Sequence, residues 1–201
     1  QDSGPPGPEE TTISWGTDLQ PPAVVESARM LAASIVDPSA ANYRAKGDQH
    51  RTYRFEAAGA DVPFRLCVPT DWDGTSDLPL VMFLHGAGND ESSYLDQNGK
   101  QMVNLAEEHD YVLVSPLGYE GAYGSYLRLP AVFGELTAAE EQVAAAKTPD
   151  AEVTQRLSEQ DVINVLELVL AEYPIAPGRR YLMGHSMGSG GTWYIGGKYS
   201  F

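Results

Sequence analysis

The sequence predicts an α/β fold in which a mostly parallel sheet is flanked by helices. Three observations carry this. Leu80–Leu84 and Tyr111–Pro116 are near-continuous apolar runs, the pattern of strands covered on both faces. Residues 158–173 place Val162, Val165, Leu166, Val169, Leu170 and Tyr173 at helical spacing. Near the end, a short apolar strand at Tyr181–Met183 runs into a sharp turn and then a helix, and the turn reads Gly184-His185-Ser186-Met187-Gly188. Strands alternating with helices imply parallel neighbours with helices on both faces.

The chain has 201 residues, enough for one domain with a substantial core. Its 42% hydrophobic and 20% charged content is that of a soluble globular protein. A formal charge of −15, from 13 basic and 28 acidic side chains, repels nucleic acid and anionic membranes, so neither is expected as a partner. No run approaches the length of a membrane span. The opening Gln1-Asp2-Ser3-Gly4-Pro5-Pro6-Gly7-Pro8 looks like a mature N-terminus left by signal removal. A secreted or periplasmic location is therefore expected, although a trimmed start would look the same. The single cysteine, Cys67, stands between Leu66 and Val68 and reads as a small buried hydrophobe rather than a nucleophile. No His, Cys and Asp cluster has ligand spacing, so neither a metal nor another cofactor is expected.

Taken in order, residues 1–49 read as an N-terminal extension. Its first 22 residues are rich in Pro, Gly and acids, and a short helix follows at Val24–Ile35, stopped by Asp37-Pro38. Residues 50–201 form the domain. From Arg51, Tyr53 and Phe55 alternate with Arg54 and Glu56; after Gly59, Pro63–Pro69 alternates again, as in a hairpin. A polar connection, Asp71–Pro79, leads to the buried strand at Leu80–Leu84. A helix is expected over Gly99–His109 with Met102, Val103, Leu105 and Ala106 inward. Residues 117–155 lose regularity and interleave glycines with Tyr119, Tyr123 and Tyr126. They read as a substrate-facing loop or lid, or as a solvated excursion with a helix of its own. In the helix of residues 158–173, Ser158 and Asp161 are expected to cap, and Pro174 ends it. Pro177 and Gly178 turn the chain into the last strand, and Trp193, Tyr194 and Ile195 supply the core of the last helix.

The turn around Ser186 carries the chemistry. A serine thrust from a strand-to-helix turn needs strained backbone angles, and Gly184 and Gly188 remove the clashes that neighbouring side chains would make there. The following helix aims its positive end at the serine. The strand at Leu80–Leu84 ends in His85-Gly86-Ala87-Gly88, where Gly86 lets backbone approach a ligand. An ordinary glycine-rich turn would read the same. His85 is expected to brace this loop by hydrogen bonds, with catalysis as the alternative.

With these pieces in this order, the chain resembles the α/β-hydrolases, and within them the carboxylesterases related to polyhydroxybutyrate depolymerases and feruloyl esterases. The resemblance rests on Leu80–Gly88, Ser158–Ile175 and Tyr181–Trp193 and covers residues 50–201. It implies that Ser186 is a nucleophile towards a carboxylic ester, for which the acidic charge favours a neutral or saccharide-linked substrate, and that the Ala87 and Met187 amides form an oxyanion hole. It also implies an Asp or Glu and then a His after the serine. Only fifteen residues follow Ser186, and none is Asp, Glu or His. The chain is therefore expected to be the front part of a longer hydrolase: a truncated gene product, a proteolytic fragment or one half of a two-chain enzyme, with self-association or an altered sheet edge protecting the last strand if it stands alone. The alternative is an inactive α/β-hydrolase fragment that binds a ligand or partner through the same cleft. Peptidase activity ranks below both, since no propeller domain is recognisable.

Overall fold

The computed structural model describes residues 44–119 and 151–199. The helix expected at Val24–Ile35, and most of the 117–155 segment expected to act as a loop or lid, lie outside the described residues.

Five strands form one sheet in the order β1-β2-β4-β3-β5. The hairpin is longer than expected: β1 covers Gly47–Phe55 and β2 covers Ala60–Val68, joined by a short 3-10 turn that Gly59 closes at φ 63°. β2 also pairs antiparallel with β4, Val112–Pro116. β3, Leu78–Leu84, is parallel to both β4 and β5, and β5 spans Ile175–Gly184. The sheet is thus mixed, with the hairpin antiparallel and the three site-bearing strands parallel. Parallel neighbours need crossovers, and these are supplied by α1, Gln101–Glu108, and α2, Ala151–Glu172. α3, Met187–Lys198, follows β5.

The alternation of side chains divides the core between two faces. Leu66, Leu80, Met82, Leu84, Val112 and Val114 pack with Val162, Val165 and Val169 of α2 and with Met187 and Ile195 of α3. Cys67, Phe83 and Leu113 face the other way, onto Leu95 and onto Val103 and Ala106 of α1. Cys67 is buried as expected, and burial, followed by the nearby Asp48 charge, pushes its thiol pKa far up, so it is no nucleophile.

Several local expectations change. Leu105 is exposed, because α1 is only eight residues long and turns Val103 and Ala106 to the sheet. Pro177 and Gly178 do not precede a strand but sit in a bulge inside β5. Ile175 pairs with Leu78 and Arg180 with Leu80, so the residues between them loop out, with Gly178 at φ 76°. Trp193 is 84% exposed, because α3 lays Gly188, Gly191 and Ile195 against the sheet and 193 falls on another face. Ser158 and Asp161 are not caps. α2 begins further upstream, so both lie inside it, and both are fully buried.

Candidate active site

β3 and β5 run parallel with Leu84 opposite Gly184, so both strands end at one level of the sheet. There the His185 amide donates to the Leu84 carbonyl at 3.1 Å. Ser186 follows at φ 53° and ψ −114°, outside the regions that side-chain-bearing residues favour. Such a conformation costs about 1–3 kcal/mol and persists only where its surroundings enforce it. They do so here by close backbone packing. A Cβ on Gly188 would lie 1.9 Å from the Leu84 carbonyl oxygen, and one on Gly184 would lie 2.4 Å from the Gly188 carbonyl group. The two glycines therefore let the start of α3 press against the end of β3. Ser186 is left exposed at the turn, ahead of the α3 N-terminus, while Met187 is buried behind it.

The loop after β3 lies against this turn. A Cβ on Gly86 would meet the Tyr94 hydroxyl at 2.9 Å and the His185 ring nitrogen Nδ1 at 3.3 Å. Gly88 takes φ 80°, and Ala87 between them is exposed. The Asn89 amide donates back to the Gly86 carbonyl at 3.2 Å, closing the turn. Among the described residues, neither the Ala87 nor the Met187 amide donates to a backbone carbonyl of another turn or loop. His85 is fully buried, with its ring nitrogens 2.9 Å from the Gly86 carbonyl oxygen and 2.7 Å from that of Leu117. It ties the loop to the end of β4, the bracing role expected of it.

The sequence reading assigns no role to Tyr94 or Arg65 and only a capping role to Asp161. Tyr94 places its hydroxyl 2.6 Å from His185 Nδ1. Arg65, fully buried on β2, donates to Asp48 at 2.5 and 2.7 Å, to Asp96 at 3.0 Å and to Ser92 at 3.0 Å, pinning the segment that carries Tyr94. The Arg65 hydrogen bond holds the Asp48 carboxyl far below the usual range, against its burial and with help from Lys100. Asp161 accepts from the Tyr53 hydroxyl at 2.6 Å and from the Gly118 and Tyr119 amides at 2.7 and 3.0 Å. Burial pushes its carboxyl up to about 6 even though all three donors pull it down. A sequence signal for Asp161 exists: Leu157, Asp161 and Val165 recur at every fourth residue, which puts an acid on the buried stripe.

No protein-family model matches the chain, and no curated protein matches it by sequence. Solved structures do match. The CE1 ferulic acid esterase of Anaeromyces mucronatus aligns at 21% identity over 77% of this chain and 57% of its own, with a TM-score of 0.52. An S-formylglutathione hydrolase from Agrobacterium tumefaciens aligns at 20% identity over 77% and 55%, with a TM-score of 0.51. A further ferulic acid esterase aligns at 14% identity over 78% and 57%, also at 0.51. The chain has the α/β-hydrolase fold. It spans about half the length of the hydrolase-fold structures it matches. The Gly-x-Ser-x-Gly pattern falls on the elbow between β5 and α3, Gly184–Gly188. Among the described residues no cluster of His, Cys, Asp or Glu could hold a metal ion, and no helix is long and apolar enough to cross a membrane.

Proposed function

We propose that the chain supplies the nucleophile and the oxyanion hole of a carboxylic-ester hydrolase. The observation that carries this reading is Ser186, strained and exposed between β5 and α3, with the Gly86 loop packed against its turn. The fold-mates named as ferulic acid esterase and S-formylglutathione hydrolase support it. Ser186 Oγ attacks the carbonyl carbon of a neutral ester, and the carbonyl electrons move onto oxygen. The amides of Ala87 and Met187 stabilise that oxyanion, assisted by the α3 dipole. Each such donor is worth roughly 10²–10³ in rate. Collapse of the intermediate expels the alcohol and leaves an acyl-enzyme, which water then hydrolyses.

Ser186 needs a base to take its proton and return it to the leaving alcohol. The chain spans only about half the length of its fold-mates. We therefore assign the acid and base to polypeptide outside these 201 residues, continuing the chain or held as a second one beside β5. Hydrolysis of p-nitrophenyl acetate by the protein with that polypeptide present is the test. Turnover should fall at least about 10³-fold in Ser186→Ala. Equal turnover in wild type and variant would remove Ser186 as the nucleophile, and none in either would leave a domain that only binds a ligand or partner in this cleft.

A further inference from the structure

The elbow residue before the serine has a partner of its own. Tyr94 Oη and His185 Nδ1 are 2.6 Å apart, from residues far separated along the chain. Their rings are 5.3 Å apart at 44°, and the Tyr94 ring also packs 5.0 Å from Phe83. The segment carrying Tyr94 is fixed on both sides. Asp90 accepts from the amides of Ser92 and Ser93, Leu95 is fully buried, and Arg65 holds Ser92 and Asp96. The tyrosine therefore reaches the elbow from a rigid base.

The direction of this hydrogen bond follows from its length and chemistry. N–H donors to oxygen favour separations of about 2.7–3.2 Å, whereas O–H donors come closer. A phenol is also the better donor, and the unprotonated imidazole nitrogen the better acceptor. Tyr94 thus donates, and Nδ1 accepts. Neutral imidazole carries one proton, which must then sit on Nε2. His185 is exposed, and among the described residues its ring makes no other hydrogen bond to protein.

We propose that Tyr94 is a positioning residue that fixes His185 in the Nε2–H tautomer, so that the elbow presents a side-chain N–H donor beside Ser186 to an acceptor oxygen of the bound ester. The same contact lies over Gly86 and ties the oxyanion loop to the elbow through side chains as well as backbone. The contact requires only the geometry of the turn, but its use in binding rests on the ester-site reading above.

Long-range ¹H–¹⁵N NMR of the 201-residue chain reads the tautomer directly and needs no turnover. In alkaline buffer, His185 should show its proton on Nε2 in wild type. In Tyr94→Phe, which keeps the ring packing, that preference should give way to a mixture of tautomers. A proton on Nδ1 in wild type, or identical His185 spectra in wild type and Tyr94→Phe, would overturn the proposal. Gly86→Ala gives a second variant: the added methyl pushes the pair apart and should produce the same mixture. Failure of Ser186 to turn over ester would remove the ester reading without altering this NMR result, so the two are separable.

Discussion

Ser186 holds a backbone conformation that only close packing can enforce, and two glycines provide that packing. Gly188→Ala would drive a methyl group into the Leu84 carbonyl, where neither backbone can yield cheaply. Urea denaturation should show a loss of about 3 kcal/mol or more, at the upper end of overpacking costs. Gly86→Ala should cost less, because its nearest neighbour is the tip of a side chain. Asp161 is the other residue whose surroundings dictate its behaviour. Its carboxyl titrates near 6 when folded, against 3.8 for the group free in solution. Between those values the folded state binds more protons than the unfolded one, so this group's contribution to stability falls as pH rises from about 4 to 6. Asp161→Asn should remove that slope. The stability difference between wild type and variant should shift by about 2–3 kcal/mol across this window, in the variant's favour as pH rises. A constant difference would show that the three donors fully offset burial.

At the scale of elements, the connection from β3 to α1 does more than join them. Arg65 reaches from β2 into it, meeting Ser92 and Asp96 while bound to Asp48 on β1. Removing a buried cation leaves its partners unpaired, so Arg65→Met should cost about 3 kcal/mol. Hydrogen exchange at residues 90–96 should quicken in the same variant. This network was invisible in the sequence because Arg65 lies 17 residues from Asp48 and 31 from Asp96, and they meet only once the chain has folded. The strands and the elbow were legible for the opposite reason. Leu80–Leu84 declares burial by composition, and Gly184-x-Ser186-x-Gly188 is a local solution to a local strain. Trp193 was misread because apolar character was taken for burial, whereas α3 packs through glycines. Asp161 was misread because a polar residue on a helix suggests a cap before it suggests a clamp.

For the whole molecule, the open question is the far side of β5. Among the described residues, that strand pairs with β3 alone. Tyr181 and Met183 share the face of Val81 and Phe83 but lie beyond the cover of α1, and they are 53% and 44% exposed. A strand with an apolar exposed face and a free edge invites pairing with other polypeptide. Light scattering should find the 201-residue chain self-associating on its own, and Met183→Lys should suppress this. A monodisperse wild-type monomer would show that the edge is protected in another way. The ester-hydrolase reading itself is tested most directly by mapping a fluorophosphonate adduct by peptide mass spectrometry, in the protein with its acid and base in place. The adduct should sit on Ser186 and vanish in Ser186→Ala; a protein left unmodified, or modified only at another residue, would contradict it.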